Sequence, residues 1–196
     1  SSFTVNTFCT GVAQAGYPCP GNNTVFENLC EGILVYSSTS GLASVLECVF
    51  NNVVRGFHGT GNCKPKLIGN EFYVLADQSI TSCGIYLYSV PAYVIQENVF
   101  AEFGNNGNSS GGESYGVLIN NCGSQTNYVY RNTFRNLKVG GQSQGDNGSE
   151  NDIFFPPVNP VNPPPLPISG LTWVCNTFDD QIYEADLAVA SGRINY

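Results

Sequence analysis

The sequence predicts an all-β fold, a right-handed parallel β-helix of about seven rungs, and three observations carry that expectation. A short motif, an apolar residue three before an asparagine and a phenylalanine two after it, recurs along the chain. Segments of alternating apolar residues begin at glycine. No stretch long enough for a helix carries a helical apolar face.

The motif is legible in seven copies, with one cysteine in each of two slots. They are Phe3-x-x-Asn6-x-Phe8, Val25-x-x-Asn28-x-Cys30, Val45-x-x-Cys48-x-Phe50, Leu67-x-x-Asn70-x-Phe72, Ile95-x-x-Asn98-x-Phe100, Val129-x-x-Asn132-x-Phe134 and Trp173-x-x-Asn176-x-Phe178. Successive asparagine slots are 22, 20, 22, 28, 34 and 44 residues apart. A recurring unit of this length marks a solenoid. Three strands of four or five residues with three turns use about 22 residues, one turn of a parallel β-helix. The leucine-rich pattern and the six-residue rhythm of left-handed β-helices are both missing.

Residues two apart on a strand share a face, so the Asn and the Phe of each copy point inward. The odd offset to the apolar residue requires a bend between them, where an asparagine tolerates left-handed backbone. Stacked at about 4.8 Å, the amides can bond one another and the rings can stack. The expected ladder is Asn6, Asn28, Asn70, Asn98, Asn132 and Asn176, interrupted at Cys48. The expected core stack is Phe8, Phe50, Phe72, Phe100, Phe134 and Phe178. The alternating units are Gly32–Ser37, Gly84–Ser89 and Gly116–Asn121, each read as a strand with one buried face.

The 196 residues are expected to form one domain. The widening spacings place two insertions, a Gly/Asn/Ser loop at 104–113 and a longer one at 140–170. The second half of the latter is proline-rich, and proline cannot donate to a sheet ladder.

Composition narrows the function. Charged residues make up 11% and the formal charge is −8. The scattered basic residues argue against nucleic acid as a partner, since phosphate binding needs clustered cations. No apolar run is long enough for a membrane span. Eight cysteines with no Cys-x-x-Cys pair favour disulfides and an oxidising, extracellular setting over zinc. Cys9 with Cys19 is the local disulfide candidate.

Candidate chemistry is sparse, and no catalytic constellation is legible. Asp179, Asp180, Glu184 and Asp186 follow the last copy and read as a solvated cap. His58 lacks triad partners at any familiar spacing. Asp146, Glu150 and Asp152 are candidate calcium ligands in an oxygen-rich loop without the final Glu of an EF-hand; no other metal or cofactor is implied. Tyr86, Tyr88, Tyr128 and Tyr130 could stack on sugar rings where exposed.

The stretch Gly116-x-x-x-Asn120-Asn121-Cys122-Gly123, the run Asn127–Phe134, the Gly-Gly-Gln-Ser-Gln-Gly-Asp-Asn run at 140–147 and Trp173–Phe178 together resemble right-handed parallel β-helix regions. Those regions belong to large secreted cell-surface proteins of Bacteroidetes-type bacteria, exported by the type IX route. The resemblance covers about 80–190 well and the N-terminal third more loosely. It implies export and a structural or adhesive role, and it transfers no catalytic residue. The expectation is therefore a secreted subunit that self-associates into a surface fibre through its solenoid ends or the proline-rich loop. The alternatives are an adhesin module binding glycans and a polysaccharide lyase or glycoside hydrolase.

Overall fold

A computed structural model describes residues 2–6, 24–76, 80–104, 112–123, 125–148, 170–179, 182 and 184–190. They form an all-β protein of parallel strands in two curled sheets, with no helix among the described residues. The described residues make six passes, each visiting three strand positions. The first comprises β1 (Ser2–Asn6), β2 (Val25–Glu27) and the front of β3 (Glu31–Leu46). The second uses the rest of β3, β4 (Val49–Val53) and the front of β5 (Arg55–Ile68). The third uses the rest of β5, β6 (Glu71–Val74) and β7 (Ser82–Tyr88). The fourth is β8 (Val94–Gln96), β9 (Val99–Glu102) and β10 (Ser114–Asn120). The fifth is β11 (Asn127–Tyr130), β12 (Thr133–Arg135) and β13 (Val139–Gln144). The sixth is β14 (Leu171–Val174), β15 (Thr177–Phe178) and β16 (Ala185–Val189). The middle strands form a six-stranded sheet. The outer two positions join as one ten-stranded sheet, because β3 and β5 run on around a corner.

Three inward columns explain why these residues adopt this register. The first is aromatic. Phe26, Phe50, Phe72, Phe100, Phe134 and Phe178 stack with centroids 4.6–5.0 Å apart and planes within 10°. That distance is the strand spacing, so hydrogen-bonded register and ring stacking satisfy each other.

The second column is glycine: Gly32, Gly56, Gly84, Gly116 and Gly140. Each makes room for the ring of the following pass. A Cβ on Gly84 would lie 2.5 Å from Phe100 Cδ1 and 2.9 Å from the Gly116 carbonyl oxygen. The column ends at Asp186, the position paired beyond Gly140. Trp173 closes the same end, its ring filling the space that a side chain on Gly141 would need.

The third column is the amide ladder. Nδ2 of Asn70, Asn98 and Asn132 each donates to Oδ1 of the next asparagine, Asn98, Asn132 and Asn176, at 2.9–3.0 Å. The same oxygens accept the backbone N–H of the preceding asparagine. The second N–H of each amide donates to the carbonyl of Val45, Leu67, Ile95 or Val129. Asn70, Asn98 and Asn132 are fully buried, and burial of an amide is tolerable because it is bonded on every side. At Cys48 the backbone N–H bonds Asn70 Oδ1 at 3.0 Å, so the ladder ends there with its acceptor filled. The bend is made by the residue before each slot, not by the asparagine. Glu47, Gly69, Glu97, Arg131 and Cys175 carry φ of 53–67°.

The first two copies of the motif need correction. Val5 pairs with Val45, and Phe26 with Phe50. Both belong to one pass, separated by residues 7–23. The described residues therefore show six passes where about seven rungs were expected, because the 22-residue step from Asn6 to Asn28 falls within the first of them. Asn6 lies opposite Leu46, two residues short of the ladder position. Asn28 is exposed with φ 57° and accepts a hydrogen bond from Asn52 Nδ2 at 2.6 Å, outside the ladder. Phe26 holds the aromatic slot in this pass, and Cys30 does not. Phe8, Cys9 and Cys19 lie outside the described residues.

The insertion expected at 140–170 does not start at Gly140. Val139–Gln144 is strand β13, with Gly140 and Gly141 demanded by the Phe178 and Trp173 rings. Of the 104–113 insertion, Gly104, Gly112 and Glu113 lie within the described residues. No helix of the described residues is long and apolar enough to cross a membrane.

Candidate functional site

The glycine-led strands, from the front of β3 to β16, present an outward face built by simple alternation. Ile33, Phe57, Ile85 and Val117 point into the core and are buried. The residues between them form two outward columns. One runs Leu34, His58, Tyr86, Leu118, Gln142, Ala188, of which Leu118 is buried despite its place in the row; the other runs Tyr36, Thr60, Tyr88, Asn120, Gln144. Leu34, Tyr36 and Tyr88 are 59%, 77% and 43% exposed, large apolar surfaces left in solvent. Asn120 Nδ2 donates to Gln144 Oε1 at 3.2 Å, ordering the polar end of the second column.

The charges on this face are spent on one another. Arg55 Nη1 donates to Glu31 Oε1 at 2.7 Å, and His58 Nδ1 lies 3.3 Å from the same oxygen. The Arg55 guanidinium sits 5.5 Å from the Tyr86 ring centroid, and His58 meets that ring edge-on at 5.0 Å. Burial raises the Tyr86 phenol, which Arg55 partly counters. Glu31 Oε2 is buried with no hydrogen-bond partner. Further along, Lys138 bonds Glu113 and lies 3.2 Å from Glu184. The Lys138 hydrogen bond lowers the Glu113 carboxyl below its ordinary range. Tyr115 donates to Glu113 at 2.7 Å, and burial followed by that bond pushes its phenol up to about 12.

The sequence-named residues fall in different places. Of the tyrosines, Tyr88 is exposed and Tyr86 is half-buried beneath Arg55, while Tyr128 and Tyr130 lie half-buried on the other arm of the sheet with Arg131 over Tyr130. His58 belongs to the Glu31 cluster. Of the acids after the last copy, Glu184 engages Lys138, the Asp179 N–H donates to the Phe134 carbonyl, and Asp186 is exposed on β16; Asp180 lies outside the described residues. Asp146 is exposed and its Oδ1 accepts the Gly148 N–H at 3.3 Å. Its companions Glu150 and Asp152 lie outside the described residues. Among the described residues no group of three or more His, Cys, Asp or Glu is placed to hold a metal ion.

Among the described residues six cysteines are free thiols: Cys30 and Cys175 exposed, Cys48, Cys63, Cys83 and Cys122 buried. Burial pushes the Cys83 and Cys122 thiols up to about 12 and Cys48 to about 11, so each stays a packed, protonated group.

Tyr36 was missed as a site residue, although its signal was present. It stands four after Gly32, as Tyr88 stands four after Gly84 and Asn120 four after Gly116, and the shared offset places all three in one outward column. No protein-family model matches the chain, and no curated protein or solved structure is significantly similar to it.

Proposed function

We propose that the chain is a right-handed parallel β-helix segment of an exported cell-surface protein, and that it serves as an adhesin module binding glycans through its outward face. The repeated order of strand positions and the unbroken aromatic and glycine columns support a solenoid. Right-handed crossovers are the rule between parallel strands of one sheet. The single observation that carries the function is the second outward column. It sets two exposed tyrosines among a threonine, an asparagine and a glutamine, with no ionised side chain in it. Amphipathic rings beside neutral hydrogen-bonding groups suit sugars, whose faces are apolar and whose edges carry hydroxyls. A glycan array probed with the full chain tests this; a blank array sinks it.

A second reading, a structural subunit that self-associates into a filament, is favoured by the sheet edges. Among the described residues, β14, β15 and β16 at one end and β1 and β2 at the other each pair on one side only. Such edges recruit further strands, and Val25, Val174 and Val189 are exposed there. Asp186 and Trp173 work against seamless stacking at the C-terminal end, because a following Phe ring would meet the Asp186 Cβ. Light scattering across a wide concentration range with electron microscopy distinguishes the readings: a monomer without fibres excludes the filament.

A further inference from the structure

Granting the glycan-binding reading, on which this rests, we propose that Tyr36 and Tyr88 are two stacking platforms for one extended, uncharged, β-linked glycan lying across the strands. Three features of the face specify that ligand.

The first is spacing. Tyr36 pairs with Thr60, and Thr60 with Tyr88, so the two rings stand two strands apart in one column. Two strand spacings amount to about 10 Å. An extended β-linked chain turns alternate sugars to the same face, and its repeat is one disaccharide, of closely this length. Alternate sugars can thus lie on Tyr36 and Tyr88 while the sugar between them passes over the smaller Thr60. A coiled α-linked chain cannot keep two successive faces on so straight a row.

The second is polarity. Beyond Tyr88 the column continues as Asn120 and Gln144. Their mutual hydrogen bond uses one amide hydrogen of Asn120, which leaves each side chain capacity to bond sugar hydroxyls. The ligand then runs from an aromatic end to an amide end and occupies about five strands.

The third is charge. The column carries no ionised side chain, Arg55 is paired with Glu31, Lys138 is paired with Glu113, and the chain bears a formal charge of −8. A polyanionic sugar meets no available cation here and is repelled at long range.

Isothermal titration of the full chain with cellohexaose, maltohexaose and a hexamer of galacturonic acid tests the assignment. Cellohexaose is expected to bind and the other two to bind at least about tenfold more weakly. Tyr36→Ala and Tyr88→Ala should each weaken cellohexaose about tenfold, and the double variant should abolish binding. Tyr88→Trp should retain it. Both sites are exposed, so melting curves of the variants should overlay that of the parent chain. Unchanged affinity in both single variants overturns the platforms and leaves glycan binding standing. Tighter binding of maltohexaose or the acidic hexamer overturns the ligand class in the same way. A chain that binds none of the three and leaves a broad array blank overturns both readings.

Discussion

The interior columns and the outward columns of the same strands obey different rules. Inward, one residue type repeats: six phenylalanines, five glycines and four asparagines, each bonded to or packed on its own kind. Outward, one column holds Tyr, Thr, Tyr, Asn and Gln in succession. Neighbours in a column sit about 4.8 Å apart on both faces. The difference is that only the interior must satisfy itself without water. Repetition is the simplest way to do so, since a residue that fits one pass fits the next. The outward face is released from that demand, and its composition is open to a ligand.

The sharpest way to break this contrast is to place a side chain in the glycine column. Gly84→Val should cost about 3 kcal/mol or more, because its Cβ would meet both the Phe100 ring and a carbonyl oxygen. Gly104→Ala is the control. Nothing lies within 4 Å of its Cβ, and only the positive φ of 77° opposes it, at about 1 kcal/mol. Urea unfolding of both variants gives the comparison; equal costs would deny the column its role. Asn98→Ala should follow at about 2–3 kcal/mol, since it strips the acceptor from the Asn70 backbone and side-chain N–H groups in a buried setting. The same change at exposed Asn28 should cost clearly less.

Thiol chemistry sharpens the inside–outside boundary without altering stability. Iodoacetamide at about pH 8 should label Cys30 and Cys175 and spare Cys48, Cys63, Cys83 and Cys122 until denaturant is added. Peptide mapping by mass spectrometry reads this directly, and early labelling of Cys83 would contradict the packing. The smallest effect is expected from the surface ion pair. The lowered Glu113 carboxyl stabilises the fold above its unfolded pKa of about 4.3. That contribution fades as pH falls through the depressed folded value. Lys138→Met should therefore remove part of the acid-range pH dependence and leave stability flat between about pH 5 and 8.

The sequence made passes three to six legible because Leu67, Ile95, Val129 and Trp173 keep their offset to Asn and Phe. The first pass was hidden, because residues 7–23 separate Val5 from Phe26 and two unrelated asparagines, Asn6 and Asn28, fall at a plausible step. Glycine misled twice in opposite directions. At 140–144 it looks like a loop residue, yet its missing Cβ is what the Phe178 and Trp173 rings require. At Gly56 the glycine column passed unnoticed, because Phe57 and His58 follow it in place of an aliphatic run. Asn at the bend was right in kind and wrong in mechanism, as the left-handed residue is the one before it. Of the candidate site, Tyr88 was visible and Tyr36 was not, since exposure at the first pass depends on which strand comes before it.

The repeating columns also set a problem for the folding chain. Sliding one half of the molecule past the other by a single pass would rebuild nearly every ring stack and amide bond, so periodic contacts alone cannot tell true alignment from a slipped one. The odd members can. Cys48 lacks the amide, Trp173 fits only against Gly141, and Asp186 refuses the next ring. The connections differ too, 22 residues from Cys48 to Asn70 but 44 from Asn132 to Asn176. These irregularities act as fiducial marks. Evening them out should yield a protein that stacks well and misaligns often.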